Sequence, residues 1–293
     1  MGNLWPLFNP WTGLFNLIGP SWPLLRYPAW LGYWPAAGYF FAFAWFELVY
    51  PAPDDPPRLA MAVTAYFAVN LFGLFLFGEK EWMRKAEAFS VYFRMVGKLS
   101  PFQWSVTEAK LRLQFGLPGH GLLQNGSVDI SGTIFTLLAL ATVSFDGLSQ
   151  TFFWVDNLGL NPLEFPGRSA VILDNTVGLG LMTLGLTIAF ATAVVAGSFI
   201  ARTLRVRSLV LATADISPPA SIMMDHHVAT LVYRLQTAII VMGHIMAVVA
   251  AHLLALRGGL TLNGAVRSQA PLNALMVLYT VFGLWLLSTP VIS

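Results

Sequence analysis

Six stretches of mostly apolar residues dominate this chain, at residues 31–50, 59–78, 131–150, 170–201, 228–256 and 271–290. Crossing ~30 Å of hydrocarbon at ~1.5 Å per residue takes about 20 residues, with every backbone group paired inside the segment. Runs of this length therefore point to membrane-spanning helices. Composition agrees: of 293 residues, 56% are hydrophobic and only 10% charged, too apolar for one soluble domain. The expected fold is all-α and polytopic, a single integral membrane domain over residues 1–293 with about six spans. The fourth run is long and carries Asp174 and Asn175 near its start, so part of it is expected to tilt or to lie outside the hydrocarbon.

There are no cysteines, which removes disulfides, thiolate nucleophiles and thiolate metal ligands together. Site chemistry must come from His, carboxylates, Ser/Thr or backbone. A net charge of +2 gives no reason to expect a nucleic-acid partner. The distribution of charge says more: with six spans, the loops on one side carry eleven Lys and Arg and those on the other carry four. That asymmetry predicts a multi-pass protein with both termini in the cytoplasm.

The N-terminal residues MGNLWPLFNPWTGLF lack a basic leader region, and their prolines interrupt any signal-peptide helix. Six of the ten tryptophans fall in the first 45 residues, so residues 1–30 read as an interfacial lead-in at headgroup level. Residues 79–130 read as an amphipathic helix followed by a hairpin-like loop. In EKEWMRKAEAFSVYFRMVGKLS, helical spacing places Trp82, Phe89, Phe93 and Val96 on one face, suited to the membrane surface or to the protein's own loops. In KLRLQFGLPGHGLLQNGSVDI, Pro118-Gly119 and Asn125-Gly126 break short alternating runs, as in a small hairpin or an irregular cap. His120 lies in that turn and reads as a solvated loop histidine.

Ionisable groups at membrane depth are costly, so each is a functional candidate. Glu47 and Asp146 close the first and third runs and should lie toward the same face. They would form a carboxylate pair or a metal site if those runs are neighbours, or else cap turns and meet Arg58 or Arg168. Four of the five histidines fall within MDHHVATLVYRLQTAIIVMGHIMAVVAAH. His244 and His252 are separated by about 12 Å of rise and about 80° of rotation, so they cannot ligate one ion unaided. They flank a Gly243, Ala247, Ala251 stripe that admits a close neighbouring helix. An interhelical hydrogen bond, a proton relay and a metal ligand all remain open for His244. Asp225-His226-His227 reads as a helix start or a partial metal site, and Arg234 as a side chain reaching the interface. No P-loop, dinucleotide fingerprint, nucleophile elbow or zincin helix is present in the sequence.

The strings YPAWLGYWPAAGYFFAFAWFELV, KAEAFSVYFRMVGKLSPF, TVSFDGLS, MGHIMAVVAAHLLAL and RSQAPLNALMVLYTVFGLWLLS together resemble a family of bacterial polytopic membrane proteins labelled fenitrothion hydrolase or its subunits. The resemblance implies hydrolysis of an organophosphorus triester by an activated water, at the bacterial inner membrane. It implies Asp146, His244 and His252 as ligands of a water or a divalent metal ion, with Glu47 and Gln269 orienting them. Leu253 stands where the family often has an acidic residue. Phe8-Asn9-Pro10-Trp11 lies several spans into longer family members, which implies that a companion membrane subunit supplies further helices. A non-catalytic subunit and a transporter or metal-handling permease are the alternatives.

Overall fold

The structure is a computed structural model, and it describes residues 5, 9–18, 23–100, 102–107, 110–116, 129–200, 243, 245, 248, 249, 251, 253, 256 and 262–292. Its helices are α1 (Pro10–Ile18), α2 (Trp34–Leu48), α3 (Pro56–Phe77), α4 (Glu79–Lys85), α5 (Ala88–Gly97), α6 (Ile130–Ser149), α7 (Phe152–Asn157), α8 (Ile172–Ile200) and α9 (Leu262–Ser288). Strands β1 (Phe102–Thr107) and β2 (Lys110–Phe115) pair antiparallel between α5 and α6, with Phe102 opposite Phe115 and Thr107 opposite Lys110. The all-α expectation holds apart from that hairpin.

Four of the predicted spans coincide with helices long and apolar enough to cross a membrane: α3, α6, α8 with the single turn before it, and α9. The first expected span is shorter. Its helix α2 has 15 residues, about 22 Å of rise. The run at 228–256 lies mostly outside the described residues. Prolines set two starts, since the missing N–H is not needed in a first turn: Pro35 opens α2 and Pro56-Pro57 open α3. At the start of α6, Asp129 Oδ1 accepts from Gly132 N at 2.8 Å and from Ser131 Oγ at 2.9 Å, satisfying a backbone donor that the helix leaves free.

The chain forms two compact units, and their boundaries fall within α6 and α8. Unit one comprises residues 1–116, 129–139 and 166–180. In it, α3 ends at Gly78 (φ +76°) and the chain doubles back. Gly73 leaves room for the Trp82 ring, which its missing Cβ would strike. Trp82 Nε1 donates to Asn70 Oδ1 at 2.9 Å, and Tyr66 reaches Glu87. Each step down α4 thus meets a position further back along α3. The chain then turns and climbs along α2, pairing Phe89 with Phe43 and Tyr92 with Phe40 at ring-centroid distances of 5.2 and 5.5 Å.

Residues 79–97 are therefore two short antiparallel helices tucked against α3 and α2, not one amphipathic surface helix. The break has a physical cause. Glu87 takes extended backbone and its carboxylate accepts from Phe89 N and Ser90 N, which starts a new helix. The aromatic face expected from Trp82, Phe89, Phe93 and Val96 is divided: Trp82 is buried, whereas Phe93 is exposed. The hairpin also sits earlier than expected, at 102–115 instead of within 110–130; residues 117–128 lie outside the described residues. The lead-in packs inward as well, with Trp11 and Phe15 buried beside Leu74, Trp82 and Ala86.

Unit two comprises residues 117–128, 140–165 and 181–293. Its described contacts join α6, α7, α8 and α9. Ser144 and Tyr279 share a 2.7 Å hydroxyl contact, Phe145 meets Trp154 edge-on, and α8 approaches α9 closely where Gly197 faces the Ser268 carbonyl. The chain's last residues pair with the turn after α6: Phe152 N donates to Pro290 O at 3.0 Å and Ile292 N to Gln150 O at 2.8 Å.

Candidate functional site

The most concentrated buried polar group in unit one lies where two short helices begin. Asn9 starts α1, its Oδ1 accepting from Trp11 N at 3.0 Å, and Glu87 starts α5. The two are joined through Ser90, whose Oγ accepts from Asn9 Nδ2 at 3.4 Å. Asn9 Nδ2 and Ser90 Oγ also both reach the Met83 sulfur, at 3.5 and 3.4 Å. Tyr66, eleven positions before the end of α3, is about 16 Å along the helix from that end. The junction thus lies well down α3.

Glu87 is fully buried. One carboxylate oxygen accepts from the Tyr66 hydroxyl and from Phe89 N at 3.1 Å. The other accepts from Ser90 N at 2.6 Å and from Trp5 Nε1 at 3.2 Å. Four donors and the α5 N-terminus stabilise a buried carboxylate that would otherwise be prohibitively costly. Aromatic rings close around it: Trp5 against Trp11, Phe89 and Phe93, and Tyr66 against Trp11 and Phe89, all with centroids within 6.3 Å. Chemically, the arrangement can hold one negative charge in an apolar setting and fasten the N-terminal segment to α3 and α5.

The residues expected from sequence are placed as follows. Glu47, near the end of α2, is exposed; Arg168 Nη1 donates to its backbone carbonyl at 2.9 Å and not to its carboxylate. Asp146, near the end of α6, is half-buried and accepts from Gln150 Nε2 at 2.9 Å. Arg58 pairs with Asp55 at 3.7 Å and donates to the Tyr50 hydroxyl at 3.1 Å. Glu47 belongs to unit one and Asp146 to unit two. Gln269 is fully buried, and its Nε2 donates to the Ala251 carbonyl at 2.8 Å. Ala251 is itself buried, as the small-residue stripe requires of a close helix contact. His120, His226, His227, Arg234, His244 and His252 lie outside the described residues. Among the described residues, no group of three or more His, Asp or Glu side chains could hold a metal ion.

Sequence reasoning missed Glu87, Tyr66 and Asn9. Two signals were available: Asn9-Pro10, a capping residue followed by proline at the first helical position, and a Glu lying three residues before Ser90 in an apolar run. No protein-family model, curated protein or solved structure matches this chain.

Proposed function

We propose that this chain is an integral subunit of a larger assembly in the bacterial inner membrane, with both termini cytoplasmic, and that its own role is structural. The carrying observation is how little of its apolar helices it covers itself. Only 17% of the apolar window of α3, 22% of that including α8 and 11% of that in α9 is buried. Hydroxyls on these helices bond a carbonyl one turn back: Thr64 to Ala60, Thr187 to Thr183 and Thr280 to Met276, at 2.7, 2.7 and 2.8 Å. Polar groups satisfied within their own helix suit contact with lipid or with a companion's helices. The polar centre at Glu87, by contrast, is occupied by this chain's own donors. Gentle extraction followed by native mass measurement tests the reading: the chain should leave the membrane bound to at least one other membrane protein. A stable isolated monomer would overturn it.

A second reading, a hydrolase subunit, has one observation in its favour. The Gln269 to Ala251 bond ties α9 to the residue that precedes His252 in the chain. The family resemblance then implies an organophosphorus triester as substrate and a divalent metal as Lewis acid, with Asp146 contributing a carboxylate that Gln150 steadies. Membranes holding the chain and its companion should release the phenol, and Asp146→Ala or His244→Ala should abolish release. Full activity in both variants would remove these assignments.

A further inference from the structure

At the end of unit one where α3 stops and α2 begins, five basic side chains outnumber the carboxylates Glu79, Glu81 and Asp129. Lys80, Arg84, Lys85, Arg94 and Lys98 all belong to the doubled-back helices or their cap. Arg84 and Lys85 have an evident partner. Glu81 pairs with Arg84 at 2.6 Å and with Lys85 at 3.3 Å, and Lys85 also stands 5.4 Å from the Tyr27 ring centre. Asp129, the next carboxylate in this region, is taken by Ser131 and Gly132.

Arg94 and Lys98 are different. They lie one turn apart at the end of α5, on one face of the helix, and both are half-buried. Among the described residues no carboxylate approaches either within the distance of an ion pair. Arg94 spends donors on the carbonyls of Met83 and Arg84, which caps α4 and fixes the guanidinium without neutralising it. Burial first, and the Arg94 charge second, pull the Lys98 ammonium below the ordinary lysine value. Two adjacent, partly desolvated cations with no counter-ion among the described residues are unfavourable unless an anion joins them.

The setting indicates which anion. Tyr33, whose N–H donates to Ser131 Oγ at 2.7 Å, stands near the Arg94 side chain and joins the start of α2 to the first turn of α6. Beside it, Trp30 and Trp34 are exposed at the start of α2, as indoles are at headgroup level. Phe93, next to Arg94 in the chain, is exposed as well and offers apolar surface for an acyl chain.

We propose that Arg94 and Lys98 bind the phosphate of an anionic phospholipid headgroup. The proposal rests on the membrane placement above and is independent of the hydrolase reading. Protein purified from membranes of mixed anionic and zwitterionic phospholipids should retain the anionic species preferentially. Lys98→Gln should lower that retention about fivefold, the value of one cation near a charged bilayer, with the melting temperature unchanged. Because Arg94 also caps α4, Arg94→Gln is read only alongside Arg94→Lys, which keeps the charge and should retain the lipid. Equal retention of both lipid types, or no effect of Lys98→Gln, would overturn the proposal. So would delipidated protein that responds to millimolar inorganic phosphate but not to anionic lipid, since the ligand would then be a soluble anion. Co-purification of a companion chain is scored separately, so the two readings fail independently.

Discussion

Tyr66, midway along α3, donates its hydroxyl to the carboxylate of Glu87, a residue 21 positions later that the chain carries back down the same helix. Around this contact the N-terminal segment, α3, α4 and α5 are held together, and its loss should be felt throughout unit one. Glu87→Ala leaves Tyr66, Trp5 and two backbone N–H groups without their acceptor. A lost helix cap and buried unsatisfied donors together cost roughly 2–4 kcal/mol. Thermal unfolding in detergent should show a large drop for Glu87→Ala and a smaller one for Tyr66→Phe, which removes one donor of four. Equal, negligible shifts would contradict the structural role assigned to Glu87.

The close approach of α3 and α4 depends on Gly73. A Cβ there would meet the Trp82 ring, and that ring is fixed by its bond to Asn70 and by stacking on Phe77 at 5.8 Å. Gly73→Ala should therefore destabilise by about 1–3 kcal/mol, the usual range for overpacking. Combining it with Trp82→Ala should add less than the sum of the separate effects, because the colliding partner is gone. Strict additivity of the two, measured by unfolding, would show that the ring does not occupy this place.

Alkaline pH probes the loop before α2. Burial first, and the nearby Glu81 second, push Tyr27 from its ordinary 10.0 up to about 12, and its hydroxyl donates to the Gly32 carbonyl at 2.9 Å. The folded state thus holds the proton more tightly than the unfolded state. Its contribution is complete below the unfolded value, near pH 10, and is lost as pH rises toward about 12. Subtracting the stability–pH profile of Tyr27→Phe from that of the parent should isolate a decline in this window. A flat difference would refute it.

Much of this architecture is legible in the sequence. The runs that became α3, α6, α8 and α9 announce themselves, because a bilayer demands one long apolar segment for each crossing. The path of residues 79–97 is not legible in the same way. Periodicity identified a helix with an aromatic face, but a period says nothing about what that face touches. Nothing in the local pattern distinguishes Glu87 from the other charges of residues 79–98, although it is fully buried. Its partner Tyr66 lies inside an apolar run, and only the reversal at Gly78 brings the two together. Gln269 lies just before the run at 271–290 and enters only through the family resemblance, while its bond to the Ala251 carbonyl required the fold.

Gln269 also separates structure from chemistry. Gln269→Ala removes the buried bond to the Ala251 carbonyl, at a cost of about 0.5–1.5 kcal/mol. On the structural reading, stability falls and assembly with a companion weakens in proportion. On the hydrolase reading, turnover should fall more than stability does, while Gln269→Glu restores neither. Parallel measurement of unfolding and phenol release distinguishes the two.

The doubled-back path of residues 79–97, with Glu87 at its turn, predicts that they enter and leave on one side of the membrane. The chain has no cysteine, so single replacements at Lys80, Ser90 and Lys98 can each be probed with a membrane-impermeant thiol reagent in intact, sided vesicles. Lys80→Cys and Lys98→Cys should be labelled from the same side, and Ser90→Cys should be protected from both. Labelling of the outer two from opposite sides, or of Ser90→Cys as readily as Lys80→Cys, would contradict it.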